Sequence, residues 1–232
     1  MVSEADLIAR RYARRDLGTD GRRYSMLSPD NWQKMHERQR AVLRLFARLG
    51  FRDLSQLNLL GVGAGAGGGL LEFLRIGFSP ERLAGIELLP DRAALARRAL
   101  PLAVQIFNDD AATANIPAHT QDIVYQSVVF SSLLDDKYQA DLANSMWRWV
   151  KPGGGVLWYD FVFNNPSNPD VRGVPLRRVR TLFPEATVRH QRVTLAPPIA
   201  RRLAIMHPGL YPVANVFPFL RTHLLCWIQK PS

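Results

Sequence analysis

Short apolar runs and longer stretches of helical period alternate along the chain from residue 57 onward. The run LNLLGV (57–62) leads into a glycine-rich turn, and similar short runs recur downstream. These runs predict strands over 57–62, 82–87, 102–107, 122–130 and 156–163, followed by two β-rich runs at 186–196 and 222–230. Apolar residues at helical spacing predict helices over 67–76, 90–100 and 138–150. This alternation predicts an α/β fold with a doubly wound, mostly parallel sheet and helices on both of its faces.

Two predicted helices precede this pattern, and a further helical region interrupts its end. Residues 3–15 have a helical pattern with a strongly basic face, and a longer helix extends from Pro29 to about Leu49. The segment 198–220 separates the last two strands, and its prolines divide it into short pieces. We therefore expect one domain, in which a helical cap at 1–50 belongs to the α/β domain at 51–232, with an insertion at about 198–220.

The composition is that of a globular protein. Apolar residues make up 47% of the 232 residues, and no apolar run approaches the roughly 18–20 residues that span a bilayer. The first residues contain no apolar stretch of the kind found in secretory signals, so we expect none. The single cysteine, Cys226, lies in the apolar run HLLCWI, which predicts a buried thiol. These features predict a cytoplasmic protein.

The formal net charge is +10, and arginine supplies nearly all of the excess. Three interpretations compete: the arginines solvate helix faces, they bind an acidic substrate or the inner face of an anionic membrane, or they bind nucleic acid. We favour the first interpretation and expect nucleic acid least of the three. Peripheral contact with a membrane stays open.

The glycine-rich turn is the strongest chemical signal. Gly63, Gly65 and Gly67 follow the first predicted strand directly and precede a helix. Glycines at that point let a nucleotide-like ligand approach the backbone, and the helix N-terminus offers N–H donors. Glu87 ends the second predicted strand about twenty residues further on, where a carboxylate accepts both ribose hydroxyls.

The same glycines also satisfy the dinucleotide fingerprint G-x-G-x-x-G, whose third glycine is here Gly68. Spacing alone therefore leaves a dinucleotide-dependent oxidoreductase as an alternative. The chain contains no Tyr-x-x-x-Lys pair for hydride transfer, which disfavours it.

The sequence resembles the class I S-adenosylmethionine-dependent methyltransferases, especially the small bacterial methyltransferase-type-11 branch. The resemblance covers roughly 24–231. Its main pieces are RYSMLSPDNWQKMHERQRAVLRLFARLG, the glycine turn, GIELLPDRAALAR, NDDA, DIVYQSVVFSSLLDD and MWRWVKPGGGVLWYDF. It implies a Rossmann-like sheet of seven strands, the last antiparallel, with N-terminal helices and a helical insertion between the last two strands.

The resemblance also implies S-adenosylmethionine as cofactor, S-adenosylhomocysteine as product, and no metal. Gly63, Gly65 and Gly67 would hold the methionyl part and Glu87 the ribose. Asp110, followed by Ala111, would read the adenine amino group. Gln126 and Ser127 would line the methyl end, and Tyr24 and Met26 would fold over the cofactor.

One position departs from the family. Gly61 stands where the family usually has an acid that fixes the glycine loop and the cofactor's amino group. This departure leaves open a weak or non-enzymatic cofactor-binding relative, or an RNA-binding protein or RNA methyltransferase.

The acceptor is less well determined than the cofactor. Enzymes that methylate base amines often have an N/D-P-P-Y/F tetrapeptide after the fourth strand, where this chain has QSVV. That difference favours an oxygen or carbon acceptor on a small-molecule or lipid- or carrier-linked metabolite. Asn164 is either a substrate ligand or a turn residue. The other catalytic candidates are His207 and Tyr211, in the insertion. A second interpretation is that His207 has no catalytic role.

Overall fold

A computed structural model of the protein describes residues 4–18, 25–165 and 168–232. The helices are α1 (Glu4–Gly18), α2 (Pro29–Arg48), α3 (Gly68–Arg75), α4 (Pro90–Ala99), α5 (Asp136–Trp149), α6 (Leu176–Leu182), α7 (Pro197–Met206) and α8 (Leu210–Ala214). The strands are β1 (Leu59–Val62), β2 (Leu83–Glu87), β3 (Gln105–Asn108), β4 (Gln121–Ser127), β5 (Val150–Phe161), β6 (Thr187–Leu195) and β7 (Arg221–Gln229).

The strands form one seven-stranded sheet in the order β3-β2-β1-β4-β5-β7-β6. Neighbouring strands from β3 to β5 are parallel, whereas β7 runs antiparallel to both β5 and β6. The expected Rossmann-like sheet with an antiparallel last strand is confirmed. Chain order reverses between β1 and β4, and this is the point where ligands bind in open α/β sheets.

Three local predictions differ from the structure. Helix α6 was not predicted, because its seven residues, LRRVRTL, are too short to show a clear period. Strand β5 begins at Val150, directly after α5 ends at Trp149, and includes the KPGGG run, in which Gly153 has a φ of 76°. Strand β3 begins at Gln105 rather than at Leu102, which is fully exposed after the turn at Pro101.

Each face of the sheet buries its own apolar cluster. Helices α1, α5 and α6 cover one face, where Trp149 and Trp158 are fully buried. Helices α2, α3 and α4 cover the other, around Leu59 and Leu70. Cys226 is fully buried and free, as predicted, and burial raises the pKa of its thiol. None of the described helices is both long and apolar enough to cross a bilayer.

The insertion between β6 and β7 consists of α7, α8 and a 3₁₀ turn at Pro218–Leu220, as the proline pattern predicted. Glu37 of α2 fixes its position. One carboxylate oxygen of Glu37 accepts the Tyr211 hydroxyl (3.0 Å), and the other accepts the Thr194 backbone N–H (2.8 Å). Thr194 has a φ of 63°, a strained value for a β-branched residue. These bonds hold the insertion against α2, beside the carboxyl ends of the parallel strands.

Candidate functional site

The carboxyl ends of the parallel strands bring most of the predicted site residues to one edge of the sheet. The glycine turn follows β1, Glu87 ends β2, Asp110 follows β3, and Ser127 ends β4. Strands β1 and β4 are neighbours, with Gly61 paired to Tyr125 and Val62 to Gln126. The site therefore lies where chain order reverses.

The glycine turn has the backbone conformation that its sequence suggested. Gly63 has a φ of 64°, and a Cβ there would lie 2.6 Å from the Val129 side chain. Gly65 has a φ of 57°, and a Cβ there would meet no atom within 4 Å. Gly67, the N-cap of α3, packs instead against Leu100, which follows α4 directly. The turn therefore combines a tight conformation with an open approach to its backbone at Gly65.

Glu87 faces this turn from the end of β2. Its side chain is buried, and one carboxylate oxygen accepts the Gly65 N–H (2.7 Å). The other oxygen accepts the Leu89 N–H (3.0 Å). Each oxygen retains a lone pair, because an ionised carboxylate offers about four acceptor positions. Glu87 thus fixes the glycine turn and can still accept two hydroxyl groups.

Asp110 lies at the adjacent strand end. Its Oδ1 accepts the Ala112 N–H (2.8 Å) and the hydroxyl of Tyr138 on α5 (2.6 Å). Burial first, and then the bond to Asp110, raise the pKa of Tyr138. Ala111 is half-buried and packs against the core. These contacts hold the Asp110 carboxylate in place beside β3.

The two residues predicted at the end of β4 differ in environment. Gln126 is fully buried, and its Oε1 accepts the Val129 N–H (3.1 Å), so it braces the loop after β4. Ser127 lines a cavity and accepts a hydrogen bond from Arg38 (3.3 Å). Val128, the residue that follows Ser127, adopts a φ of 58°, which is rare for a β-branched residue. Such strain often occurs at functional sites.

A cavity of about 170 Å³ opens beneath the glycine turn. Its walls include Arg38, Gly61, Gly63, Gly69, Tyr125 and Ser127. Arg38 reaches it from α2 and forms an ion pair with Glu72 of α3. The guanidinium also lies over the Tyr159 ring, 5.2 Å from its centroid. The cavity is thus polar on one side, with a permanently charged group in its wall.

Sequence reasoning missed Arg38, although a signal was present. Met35 and Val42 belong to the apolar stripe of α2, and Arg38 lies three residues after the first and four before the second. A charged residue within an apolar stripe needs a buried partner or a polar cavity. Arg38 has both.

Gly61, where the related family usually has an acid, is closely packed against a neighbouring side chain. A Cβ at Gly61 would lie 3.1 Å from a methyl group of Leu70, and a Cβ at Gly85, its partner on β2, would lie 3.0 Å from the other methyl group. Leu70 is almost completely buried. Its side chain therefore covers the two glycines and occupies the space in front of β1.

The proposed catalytic residues have local partners. The exposed Asn164 accepts the Gly173 N–H (2.9 Å) through its side-chain oxygen. His207 is exposed at the end of α7, and its Nδ1 accepts the Gly209 N–H (3.1 Å). Tyr211 is fully buried and donates to Glu37, as described above. All three thus have structural contacts, and their catalytic roles stay predictions.

Met26 and Tyr24 complete the set of predicted cofactor-binding residues, and Asp160, on β5, is a further buried acid. Met26 is about half exposed (48%) in the turn before α2, and Tyr24 lies outside the described residues. Asp160 is fully buried and accepts the Ser131 N–H (3.1 Å) and the Phe161 N–H (2.9 Å). Burial raises the pKa of Asp160 to about 6, although these hydrogen bonds act in the opposite direction. Asp160 thus anchors the loop after β4.

The donor and acceptor set fits a nucleoside joined to an amino acid. Gly65 leaves open space at the backbone, Glu87 can accept ribose hydroxyls, and Arg38 presents a positive charge in the adjacent cavity. The first N–H groups of α3 have no partner within the helix. Across residues 4–18, 25–165 and 168–232, no cluster of His, Cys, Asp and Glu has the size and geometry to hold a metal.

Comparison with known proteins agrees with this geometry. Residues 59–154 match the family model described as "Methyltransferase domain". No curated protein matches the chain. The solved structures with a similar fold include an S-adenosylmethionine-dependent methyltransferase from Mesorhizobium loti, with 15% identity and a TM-score of 0.59 over 79% of this chain and 95% of that one.

Two other solved structures extend the comparison. Phosphoethanolamine N-methyltransferase 1 from Haemonchus contortus, solved with phosphoethanolamine and S-adenosylhomocysteine, has 11% identity and a TM-score of 0.65, covering 100% of this chain and 50% of that one. The cyclase SpnF has 18% identity and a TM-score of 0.57, covering 82% of this chain and 81% of that one. The segment 59–154 is therefore similar to a methyltransferase domain, and the chain has the fold seen in S-adenosylmethionine-dependent methyltransferases.

Proposed function

We propose that the protein transfers a methyl group from S-adenosylmethionine to an oxygen or carbon atom of a small-molecule or lipid- or carrier-linked metabolite. The observation that carries this proposal is the open glycine turn fixed by the buried Glu87 carboxylate. The domain match over 59–154 supports the same class. We also propose that the protein belongs to the small bacterial methyltransferase-type-11 branch.

The chain's own residues supply the binding groups. Glu87 accepts hydrogen bonds from the ribose hydroxyls, and Asp110 accepts one from the adenine amino group. The backbone around Gly65 lies close to the methionyl part. Arg38 joins this set because it lines the adjacent cavity. Its charge suits the carboxylate of the amino-acid part, since guanidinium and carboxylate form strong paired hydrogen bonds. Gly63 and Ser127 line the cavity, and Gly67, Ala111 and Gln126 remain proposed cofactor-binding residues.

Methyl transfer needs few further groups from the protein. When bound, the cofactor supplies a methyl group that is already activated by the positive charge of its sulfonium. The protein has to align the acceptor atom with this group and exclude water. A base is needed only where the acceptor must lose a proton. His207, Tyr211 and Asn164 remain the proposed candidates for acceptor contact.

Ligand titration tests this proposal against its alternatives. We expect S-adenosylmethionine and S-adenosylhomocysteine to stabilise the protein against heat, by about 2.7 kcal/mol at roughly 100 times Kd, and NAD to have no effect. Stabilisation by NAD alone would overturn the assignment in favour of a dinucleotide enzyme. A response to none of the three would favour a non-enzymatic relative that binds the cofactor only weakly, or an RNA-binding protein.

A further inference from the structure

Several large apolar side chains are exposed around the insertion. Ile205 is 85% exposed and Met206 73%, both on α7, and Phe219 is 74% exposed in the turn at Pro218–Leu220. The insertion that contains them is anchored through Tyr211. Leu27, just before α2, is 94% exposed. We call the following residues the apolar edge: Leu27, Ile205, Met206, Val216, Phe217 and Phe219. Within this set the rings of Phe217 and Phe219 are 5.7 Å apart between centroids, and large exposed apolar patches mark interaction sites in soluble proteins.

The apolar edge lies beside the candidate cofactor site. The Gln33 amide near the start of α2 donates to the Pro208 carbonyl (3.3 Å), which joins the turn after α7 to the region that contains Leu27. Helix α2 packs against α7 and also sends Arg38 into the cavity. The same helix therefore links this surface to the carboxyl edge of the sheet.

The charged side chains in the C-terminal part of the chain are all basic. From Ala186 to Ser232 the sequence contains no Asp or Glu. It contains six basic residues: Arg189, Arg192, Arg201, Arg202, Arg221 and Lys230. Arg201 and Arg202 are exposed on α7, the helix that also carries Ile205 and Met206. Exposed apolar side chains next to basic ones, without acids, match the interface of an anionic bilayer.

We propose that the apolar edge, with Arg201 and Arg202, docks the protein on an anionic lipid membrane. The apolar side chains enter the interfacial region, and the two arginines contact lipid phosphates. Docking itself does not depend on methyl transfer. Its consequence, that the acceptor is carried by the membrane and reaches the site from the bilayer, rests on the proposed function.

Vesicle flotation tests the docking with the full chain and no cofactor. We expect the protein to float with vesicles of phosphatidylglycerol and phosphatidylcholine in equal parts, and to stay in solution with phosphatidylcholine alone. The double variant Ile205→Ser/Phe219→Ser and the double variant Arg201→Gln/Arg202→Gln should each weaken binding about tenfold or more. High salt should weaken binding too, because surface charge is screened.

Matched controls come from exposed residues outside the apolar edge. Leu102 is 100% exposed before β3, so Leu102→Ser removes an equally exposed apolar side chain. Arg48 and Arg52 are exposed near the end of α2, so Arg48→Gln/Arg52→Gln makes the same change in charge. Both controls should float as the unaltered protein does. Circular dichroism and melting curves identify any variant that fails to fold.

Three results would overturn the proposal. The first is no flotation with anionic vesicles; the second is equal loss in the apolar-edge variants and their controls. The third is self-association of the protein in sedimentation that the Ile205→Ser/Phe219→Ser variant abolishes, which would assign the surface to a second copy. Retained binding of S-adenosylhomocysteine in a protein that does not float would reject docking and leave the proposed function intact.

Discussion

Replacing Glu87 by Gln separates the two tasks of this carboxylate. In the structure its two oxygens accept the Gly65 and Leu89 N–H groups. Glutamine keeps one oxygen and places an NH₂ group against the other N–H, so one hydrogen bond to a charged group is lost and a buried donor is left unpaired. Each effect costs about 1–3 kcal/mol. We expect the free energy of unfolding to fall by about 2–6 kcal/mol in total, against a typical native stability of about 5–15 kcal/mol.

The same change should weaken cofactor binding more than stability alone explains. Loss of one charged hydrogen bond to the ribose corresponds to a roughly 10- to 150-fold higher Kd for S-adenosylhomocysteine. Urea unfolding measures the stability, and calorimetric titration of the folded variant measures the Kd. Glu81→Gln is the matched control, because Glu81 is an exposed acid just before the start of β2. Unchanged affinity in folded Glu87→Gln would refute the assigned role.

Three other predictions follow from the cavity and the core. Arg38→Gln should raise the Kd of S-adenosylhomocysteine about tenfold or more but leave that of 5′-methylthioadenosine, which has no carboxylate, unchanged in titration; equal losses for both ligands would contradict the carboxylate contact. Gly61→Asp should lower stability by about 1–3 kcal/mol because of Leu70, and should tighten cofactor binding once Leu70→Ala makes room; unchanged affinity in the double variant would reject that account. Burial, aided by the charges of Lys34 and Arg38, lowers the pKa of His223 to about 3, so its neutral ring stabilises the fold above about pH 6.5 and this contribution is lost as the pH falls toward 3. Urea unfolding at pH 7 and pH 5 should show an extra loss of about 2 kcal/mol that His223→Phe lacks, and equal acid sensitivity of the two proteins would contradict it.

The parts of the fold that could be predicted from the sequence depend on local pattern. The apolar run before Gly63 and the acid at the end of the next run predict a strand, a turn and a second strand end, because the sheet topology brings consecutive strand ends together. The distance between Gly65 and Glu87 in the structure, 2.7 Å from nitrogen to oxygen, agrees with that reasoning. The insertion was predictable because its prolines interrupt helical spacing.

The remaining features depend on contacts between residues far apart in the chain. Tyr211 looked like a pocket residue because it lies in the insertion, yet its hydroxyl pairs with Glu37, 174 positions earlier. Gly61 looked like a missing acid, and only the structure shows that Leu70 covers it. No local pattern reports which side chain fills a space, since that depends on how α2 and α3 pack against the sheet.

We expect S-adenosylhomocysteine to bind between the glycine turn and Glu87. A crystal structure of the complex measures this directly. We predict density for the nucleoside beside Gly65, with both ribose hydroxyls within about 2.6–3.2 Å of the Glu87 carboxylate. A nucleoside bound elsewhere on the protein, or a turn closed around side chains with Glu87 in contact only with the backbone, would contradict the account.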